Sequence, residues 1–114
     1  MKDFPAVLKA MADETRFQIL NILLEHDFCV GALAKKLSIS EAAVSQHLQI
    51  LRKAGLVNGE KRGYYTHYWV DREALKQAAE EIRTLAIKTG KRDGCRKGPQ
   101  TDRNHCSKEN GKDI

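Results

Sequence analysis

The chain has 114 residues, of which 41% are hydrophobic and 31% are charged, and its formal net charge at pH 7 is +5. This length allows one domain with a small core and excludes two. No apolar run approaches the roughly 20 residues needed to cross a bilayer, and the first residues, MKDFPAVLK, lack the apolar segment of a signal peptide. The composition therefore predicts a cytoplasmic protein without a membrane partner, in a compartment where thiols stay reduced.

The positive charge is concentrated near the C-terminus. Residues 1–87 carry 12 Lys or Arg against 11 Asp or Glu, a balance of +1, whereas residues 88–114 carry 8 against 4, a balance of +4. Residues from about Thr89 onward are polar and aperiodic and contain glycine, which is typical of chain that is disordered when unliganded. We expect a folded domain over residues 1–88 and a basic, cysteine-containing tail over residues 89–114.

Four helices are predicted in the first half of the chain. The first begins near Pro5, a residue that suits a first turn, and Asp13 can cap the second. The second helix is apolar around most of its circumference and is expected to be buried on most sides. The third covers Val30 to Leu37, and the fourth runs from a Ser40 cap to Ala54. Three apolar residues of the fourth helix fall on one face: Val44, Leu48 and Leu51.

The spacing of apolar residues changes from a helical to a strand-like pattern after residue 55. The stretch after Gly63 is rich in β-branched and aromatic residues, and Asn58-Gly59 and Arg62-Gly63 are turn signals. We predict a hairpin with strands Leu56 to Lys61 and Tyr64 to Val70 and its tip near Arg62-Gly63. Asp71 then caps a last helix with one apolar face. That face consists of Leu75, Ala78, Ala79, Ile82, Leu85 and Ala86.

Helix, tight turn, helix and hairpin is the element order of a winged helix-turn-helix, so the predicted fold class is mainly α with a small β-hairpin wing. The major groove of duplex DNA admits one α-helix, and the fourth helix is the candidate. Gln46 can contact adenine with two hydrogen bonds, Ala42 can meet a thymine methyl, and Ser45 can reach a base or a phosphate. The candidate DNA contacts are Ser40, Glu41, Ala42, Ser45, Gln46, His47, Gln49 and Arg52 on the helix and Lys61 and Arg62 in the wing.

An alternative interpretation is that this polar side of the fourth helix is only solvated. Its short, uncharged side chains favour DNA contact, whereas a carboxylate at Glu41 is unfavourable near phosphates unless it accepts from a cytosine amine. For His47 the expected role is a phosphate contact or a structural hydrogen bond. His67, in the wing strand, is expected to be structural.

Three blocks of the sequence resemble the ArsR/SmtB family of bacterial metal-responsive repressors, in the order in which that family has them. They read LKAMADETRFQILNILL, VGALAKKLSISEAAVSQHLQILRKAGLV and KRGYYTHYWV, and the resemblance spans about residues 6–87. It implies a homodimer joined through the first and last helices, with each recognition helix in a major groove of a palindromic operator. It also implies that a metal or another inducer releases the DNA. The apolar stripe of the last helix agrees with such a dimer, although a terminal helix can also pack on its own domain.

The resemblance implies positions at which metal ligands are expected. One type of zinc and cobalt sensor in the family uses Asp, His and Glu of the last helix, but residues 71–89 contain no histidine. Arsenite and cadmium/lead sensors usually have C-V-C near the start of the third helix, where this chain has Cys29-Val30-Gly31. The missing thiols could come from Cys95 and Cys106. Three thiolates suit a soft, three-coordinate ion, so As(III) or Sb(III) is the predicted inducer.

Other interpretations of these residues stay open. Cys29 can be a small residue packed at a helix start, and the tail cysteines can be incidental. His105 could join Cys95 and Cys106 in a Zn²⁺ site, or the two cysteines could form a disulfide switch that senses oxidation. His26 and Cys29 have a spacing compatible with zinc, but two residues do not make a site. No paired base and thiol occurs in residues 1–88, so we do not expect an enzyme. A winged-helix module that binds proteins without sensing metal is the alternative from another class.

Overall fold

The computed structural model describes residues 3–90. Five helices and three strands lie within this range, and they confirm the predicted mainly helical fold with a hairpin wing. The tail predicted from residue 89 lies outside the described residues apart from Thr89 and Gly90, and so do Cys95, Cys106 and His105. The elements are α1 (Phe4–Met11), α2 (Glu14–Glu25), β1 (Phe28–Cys29), α3 (Val30–Leu37), α4 (Glu41–Lys53), β2 (Val57–Arg62), β3 (Tyr65–Val70) and α5 (Arg72–Ile87).

Helices α2 and α4 begin at the polar residues that the sequence predicts. The carboxylate of Asp13 accepts a hydrogen bond from the backbone N–H of Arg16 at 3.0 Å, and the hydroxyl of Ser40 accepts one from Ala43 at 3.0 Å. Each such cap stabilises its helix by about 1 kcal/mol. Gly55, directly after α4, has a φ of +83°, the left-handed conformation that glycine adopts without steric cost.

The core lies between the helices and the inner face of the sheet. It joins α2, α3 and α4 to the start of the wing through side chains that are almost completely shielded from solvent: Ile19, Leu20, Leu33, Val44, Leu48, Leu51, Leu56 and Val57. The expectation that α2 is buried on most sides is wrong. Only Ile19, Leu20 and Leu23 of α2 are buried, and Phe17 is 52% exposed, because a single chain covers only one side of this helix.

The sheet has three antiparallel strands in the order β1-β3-β2. The hairpin register runs from Val57 opposite Val70 to Arg62 opposite Tyr65, so its tip lies where the sequence predicts. The interpretation of Asn58-Gly59 as a turn is wrong, since both residues are paired within β2. Strand β1 was not predicted, because two residues are too few to show a period of two.

Gly59 is explained by its neighbour on β3. A Cβ atom at this position would lie 2.7 Å from an atom of the Tyr68 ring, which is well inside van der Waals contact. The ring of Tyr68 therefore occupies the space that a side chain at position 59 would need. Glycine is required here by a close approach across the hairpin and not by a turn.

Helix α5 is covered along its first half only. Ala78 is buried and Leu75 is half-buried, but Ile82 is 50% and Leu85 57% exposed. The sequence left open that the apolar stripe of α5 packs entirely on its own domain. That alternative is wrong for the second half of α5, where Ile82 and Leu85 stay exposed in the single chain. Within residues 3–90, no helix combines the length and the apolar character that a membrane span requires.

Candidate nucleic-acid interface

Helix α4 presents one polar side to solvent. Its other side is fixed in the core by Val44, Leu48 and Leu51, which have exposures of 0–2%. Because side chains three and four residues apart lie on the same face of a helix, a continuous stripe is left open. All of its members are exposed: Ala42, Ser45, Gln46, Gln49 and Arg52. Glu41 and Ser40 are exposed at the start of the same helix.

A compact helix-turn-helix places this stripe beside α3. The turn depends on Ser38, which has a φ of +57°, and on the backbone N–H of Ile39, which donates to the carbonyl of Ala34 at 3.1 Å. Lys35 and Lys36 occupy the last turn of α3 and are exposed. The sequence analysis did not identify these two cations, although basic residues next to the predicted tight turn were a visible signal.

His47 differs from the other predicted contacts, because its ring is turned toward α2. Its Nδ1 lies 3.3 Å from Nη1 of Arg16 and 4.0 Å from the carboxylate of Asp13. The guanidinium of Arg16 also donates to the carbonyl of Ala10 at 2.7 Å. Since a guanidinium can only donate, Nδ1 of His47 is the acceptor in its contact with Arg16. This contact corresponds to the structural hydrogen bond, one of the two roles expected of His47.

The carboxylate of Asp13 is held in its ionised form at this junction. The hydrogen bond from the backbone N–H of Arg16 lowers the pKa of Asp13 below its ordinary value, and the nearby charge of Arg16 acts in the same direction. Partial burial opposes them. The cap of α2 therefore depends on an ionised side chain.

The end of α4 contacts the sheet. The guanidinium of Arg52 lies 5.9 Å from the centroid of the Tyr68 ring, a distance at which a cation is attracted to an aromatic face. Ser45, Leu48, Gln49, Arg52 and Tyr68 line a shallow cavity between α4 and the wing strand β3. The wing is thus packed against the helix that presents the polar stripe.

In the wing, Lys61 is exposed without an ion pair among the described residues, whereas Arg62 is held by neighbours. Nη2 of Arg62 lies 3.3 Å from Oδ2 of Asp27 and 3.4 Å from Oε1 of Glu60. The guanidinium also lies 5.9 Å from the centroid of the Trp69 ring. In this arrangement Lys61 is the predicted wing cation that is free to meet a phosphate.

Two aromatic residues at the wing tip were missed. Tyr64 is 92% exposed and Tyr65 60%, and their rings meet edge to face at 6.2 Å. A pair of large rings that covers no core was visible in the sequence as GYY. Tyrosine hydroxyls bind phosphate oxygens in protein–DNA complexes, so these residues belong with the candidate contacts.

Cys29 is the one cysteine among the described residues. It ends β1 and precedes α3, is half-buried, and makes no capping hydrogen bond through its side chain. Within residues 3–90, no group of three or more His, Cys, Asp or Glu is arranged to hold a metal ion. The other two predicted thiol ligands, Cys95 and Cys106, lie outside the described residues.

This fold and this exposed helix define a winged-helix DNA-binding protein, and comparison with known proteins agrees. The family model described as bacterial regulatory protein, arsR family, matches residues 13–59. The transcriptional activator HlyU of Vibrio cholerae is 42% identical over 79 residues, which cover 69% of this chain and 73% of HlyU. A homolog of the cadmium resistance regulator CadC from Staphylococcus aureus is 36% identical over 69% of this chain and 66% of its own. The arsenical resistance operon repressor of Escherichia coli is 40% identical over 54% of each chain.

Solved structures show the same architecture. An ArsR-like transcriptional regulator from Rhodococcus sp. RHA1 superposes with a TM-score of 0.68 at 31% identity, covering 73% of this chain and 78% of the other. Mb0332 from Mycobacterium bovis, described as a homodimeric winged helix-turn-helix DNA-binding domain, has a TM-score of 0.61 at 28% identity, covering 72% and 76%. The protein belongs to the ArsR family of bacterial regulatory proteins. It is a transcriptional regulator, which confirms the expectation that it is not an enzyme.

Proposed function

We propose that the protein is a homodimeric transcriptional repressor that binds a palindromic operator and leaves it when a thiol-binding inducer, As(III) or Sb(III), is captured. The observation that carries the proposal is the exposed, largely uncharged stripe of α4, held rigidly by three buried side chains. A helix with this construction suits the major groove. The protein would act where its DNA lies and where its thiols stay reduced, in the cytoplasm.

Within the stripe, the side chains differ in what they can recognise. Gln46 suits adenine, through two hydrogen bonds in the major groove, and Ala42 suits the methyl group of thymine. Ser45 can bind a base edge or a phosphate. The remaining proposed contacts flank these on the helix or lie in the wing: Ser40, Glu41, His47, Gln49, Arg52, Lys61 and Arg62.

The dimer is proposed to form through α1 and α5. Ile82 and Leu85 of α5 are 50% and 57% exposed, and Leu8 of α1 is 40% exposed. These two helices pack against each other in one chain, so their uncovered apolar side chains lie on neighbouring elements. A second copy would remove this surface from water. The half-sites of the operator would then lie about 34–36 Å apart, or at a multiple of that distance.

The inducer is proposed to bind Cys29 together with the tail thiols Cys95 and Cys106. One relative is named for arsenical resistance and another for cadmium resistance. Soft ions of this kind favour thiolate ligands. Basic neighbours of the tail cysteines, such as Arg96 and Lys97, would raise their thiolate fraction. The tail would fold onto the start of α3 of its own or the partner chain, with the cost of ordering met by metal–thiolate bonds.

Release of DNA would follow from the position of Cys29. Cys29 directly precedes α3, and α3 packs against α4, so a ligand that pulls on this point tilts the recognition helix. A coupling free energy of about 1–3 kcal/mol changes DNA affinity by roughly 5- to 150-fold. By the same linkage, bound DNA weakens inducer binding by an equal factor.

The test is a titration of the operator-bound full-length protein with As(III), Sb(III), Cd(II), Zn(II) and peroxide. As(III) is expected to release the wild type at the lowest concentration and to fail with Cys29→Ser, Cys95→Ser or Cys106→Ser. Equal release of wild type and the two tail variants would show that the tail is not part of the sensor. Release by peroxide alone would instead identify the Cys95–Cys106 pair as a disulfide switch.

A further inference from the structure

Arg52, in the last turn of the recognition helix α4, carries a charge that no carboxylate neutralises among the described residues. It is exposed, and within residues 3–90 it forms no ion pair. Arg62 in the wing differs, because Asp27 and Glu60 both contact its guanidinium. The planar fork of N–H donors in an arginine matches the oxygens of a phosphate. Arg52 is therefore available to bind an anion.

The ring of Tyr68, on β3, holds the side chain of Arg52 in one place. The guanidinium carbon lies 5.9 Å from the ring centroid, within the range in which an aromatic face attracts a cation. Such a face attracts the charge but does not take up the N–H donors as a carboxylate does, so they remain free for a ligand. Because an arginine loses rotamer freedom when it binds, a contact that orients it beforehand makes binding more favourable.

The position of the Tyr68 ring is fixed in turn by Gly59, its partner on β2. A Cβ atom at Gly59 would lie 2.7 Å from the Tyr68 ring and 3.3 Å from the methyl group of Thr66, so all three residues share one face of the hairpin. The ring fills the space over this glycine and contacts α4 from there. The register of the hairpin therefore determines where the guanidinium of Arg52 is held.

Arg52 and Tyr68 border the cleft between α4 and β3, which has a volume of about 290 Å³. Its other lining residues are Ser45, Leu48 and Gln49. Ser45 and Gln49 are exposed and carry hydrogen-bond donors, and no carboxylate lines this cleft within the part of the chain that the structure describes. Because the oxygens of a phosphodiester are negatively charged acceptors, a lining of donors with one cation suits this group.

A second polar cleft lies between the end of α2 and the outer side of the wing, and its charges are different. Three carboxylates line it, those of Glu25, Asp27 and Glu60, against the two guanidinium groups of Arg62 and Arg72. An excess of negative charge repels a phosphate. The comparison favours the cleft at Arg52 as the place where the nucleic-acid backbone binds.

Lys61 extends the same surface toward the wing tip. It is two residues from Gly59 on β2 and pairs with Thr66, so the alternation of side chains puts it on the face of the hairpin that carries Tyr68. Lys61 is exposed and has no ion pair among the described residues. Two unpaired cations, Arg52 and Lys61, therefore border the surface between α4 and the wing.

We propose that Arg52 binds one phosphate of the operator backbone in each half-site, and that Tyr68 is the positioning residue that holds its guanidinium in place. The inference rests on the proposed binding of duplex DNA and names the ligand of one of its contacts. A phosphate contact carries no sequence information but fixes the register of the protein on the duplex. Tyr68 thus connects the wing to the placement of α4, whereas the base preference stays with Gln46.

The first test is the salt dependence of operator binding by the full-length protein. Arg52→Ala should weaken binding to all duplexes alike and reduce the salt slope by about one unit for each half-site. Lys76→Ala is the control, because it removes one positive charge from an exposed position of α5 and should leave the slope unchanged. Equal salt slopes of the Arg52→Ala and wild-type proteins would overturn the proposal.

The positioning role of Tyr68 is tested by a double-mutant cycle. Tyr68→Leu should weaken operator binding by about 2- to 5-fold, the scale of one exposed cation–aromatic contact, whereas Tyr68→Phe keeps the ring and should bind like the wild type. In the Arg52→Ala background, Tyr68→Leu should have no further effect. A loss of equal size in both backgrounds would show that Tyr68 acts on the fold alone, and the positioning role would be refuted.

Trp69→Leu is the matched control for the cycle. Trp69 follows Tyr68 directly on β3 but projects from the opposite face, where its ring lies 5.9 Å from the guanidinium of Arg62. Its effect on operator binding should therefore be the same with and without Arg52. Coupling of Trp69 to Arg52 as strong as that of Tyr68 would contradict a specific contact.

A further measurement locates the phosphate without a change in the wing. Duplexes are prepared in which one phosphate at a time is replaced by an uncharged methylphosphonate. At one position in each half-site, this replacement should weaken binding of the wild type but not of the Arg52→Ala protein. If every replacement weakens both proteins to the same extent, Arg52 binds no phosphate.

Failure of this inference and failure of the proposed function give different results. A wild-type protein that binds no duplex would refute both. Base-selective binding by the wild type, with an unchanged salt slope in the Arg52→Ala protein, would refute only the phosphate contact.

Discussion

Nη1 of Arg16 lies 3.3 Å from Nδ1 of His47, and this contact joins the start of α2 to the middle of the recognition helix α4. The same guanidinium donates to the carbonyl of Ala10 at the end of α1. One side chain therefore connects three helices at the point where the orientation of α4 is set. Because His47 follows Gln46 directly, a substitution of Arg16 should change the position of the proposed base contacts.

Replacement of Arg16 should affect both stability and DNA binding. Arg16→Ala removes the hydrogen bonds to His47 and Ala10, and we expect the free energy of unfolding to fall by about 1–3 kcal/mol, since single hydrogen bonds contribute about 0.5–1.5 kcal/mol. Operator affinity should fall as well. Denaturant unfolding and operator titration measure the two effects. The control is Arg83→Ala, which breaks only the exposed pair with Glu80 at 3.9 Å and should change stability by less than about 0.5 kcal/mol. Equal effects of the two substitutions would contradict this role of Arg16.

The lowered pKa of Asp13 predicts a specific dependence of stability on pH. A carboxylate whose pKa is depressed in the folded state contributes stability above its unfolded pKa, and this is lost as the pH falls through the folded pKa. Asn also caps helices well, so Asp13→Asn should change the free energy of unfolding little at neutral pH. The same substitution should reduce the decrease of that free energy as the pH is lowered. Unfolding free energies measured from about pH 7 down to about pH 2 test this. Parallel curves for the wild type and Asp13→Asn would show that Asp13 makes no such contribution.

Gly59→Ala should destabilise the hairpin. The new methyl group would lie 2.7 Å from the Tyr68 ring, and overpacking of this kind costs about 1–3 kcal/mol. Gly90→Ala is the matched control, since nothing lies within 4 Å of a Cβ at that position. Thermal unfolding of both variants gives the comparison. A Gly59→Ala protein as stable as the Gly90→Ala protein would mean that the ring moves aside without cost.

Much of the fold was predictable because its signals are local. The caps at Asp13, Ser40 and Asp71 and the left-handed Gly55 each follow from a neighbour within four residues. Contacts between distant parts of the chain were not predictable in the same way. The ion pair of Arg62 with Asp27 and the pairing of Cys29 with His67 depend on the register of β1, which is too short to show a pattern in the sequence.

For the candidate interface, periodicity was sufficient to divide α4 into a buried and an exposed side. It could not show that His47 turns toward Arg16, because that depends on how α2 crosses α4. The pair of tyrosines at the wing tip was overlooked for another reason. Aromatic residues in a strand-like stretch are more often part of a core, and only the fold shows that Tyr64 and Tyr65 cover nothing.

The exposed apolar side chains in the second half of α5 predict a dimer interface. A single charged substitution within that surface should prevent dimerisation. Ile82→Glu would bury an unpaired carboxylate in the proposed interface, which is costly, so the protein should sediment as a monomer at micromolar concentration and bind the operator weakly. Thr84→Glu is the control, because Thr84 lies on the side of α5 opposite the apolar stripe and its hydroxyl donates to the carbonyl of Glu80. A dimeric Ile82→Glu protein, or an equally monomeric Thr84→Glu protein, would contradict the proposed interface.

The most direct test of recognition by α4 is the base preference of Gln46→Ala on a library of duplexes built around the preferred operator. We predict a loss of about 1–3 kcal/mol on the best site and relaxed preference at one position in each half-site. Lys61→Ala, by comparison, should weaken binding to all sequences alike and reduce the salt slope by about one unit. Unchanged base preferences in the Gln46→Ala protein would contradict the assignment of α4 as the helix that reads DNA.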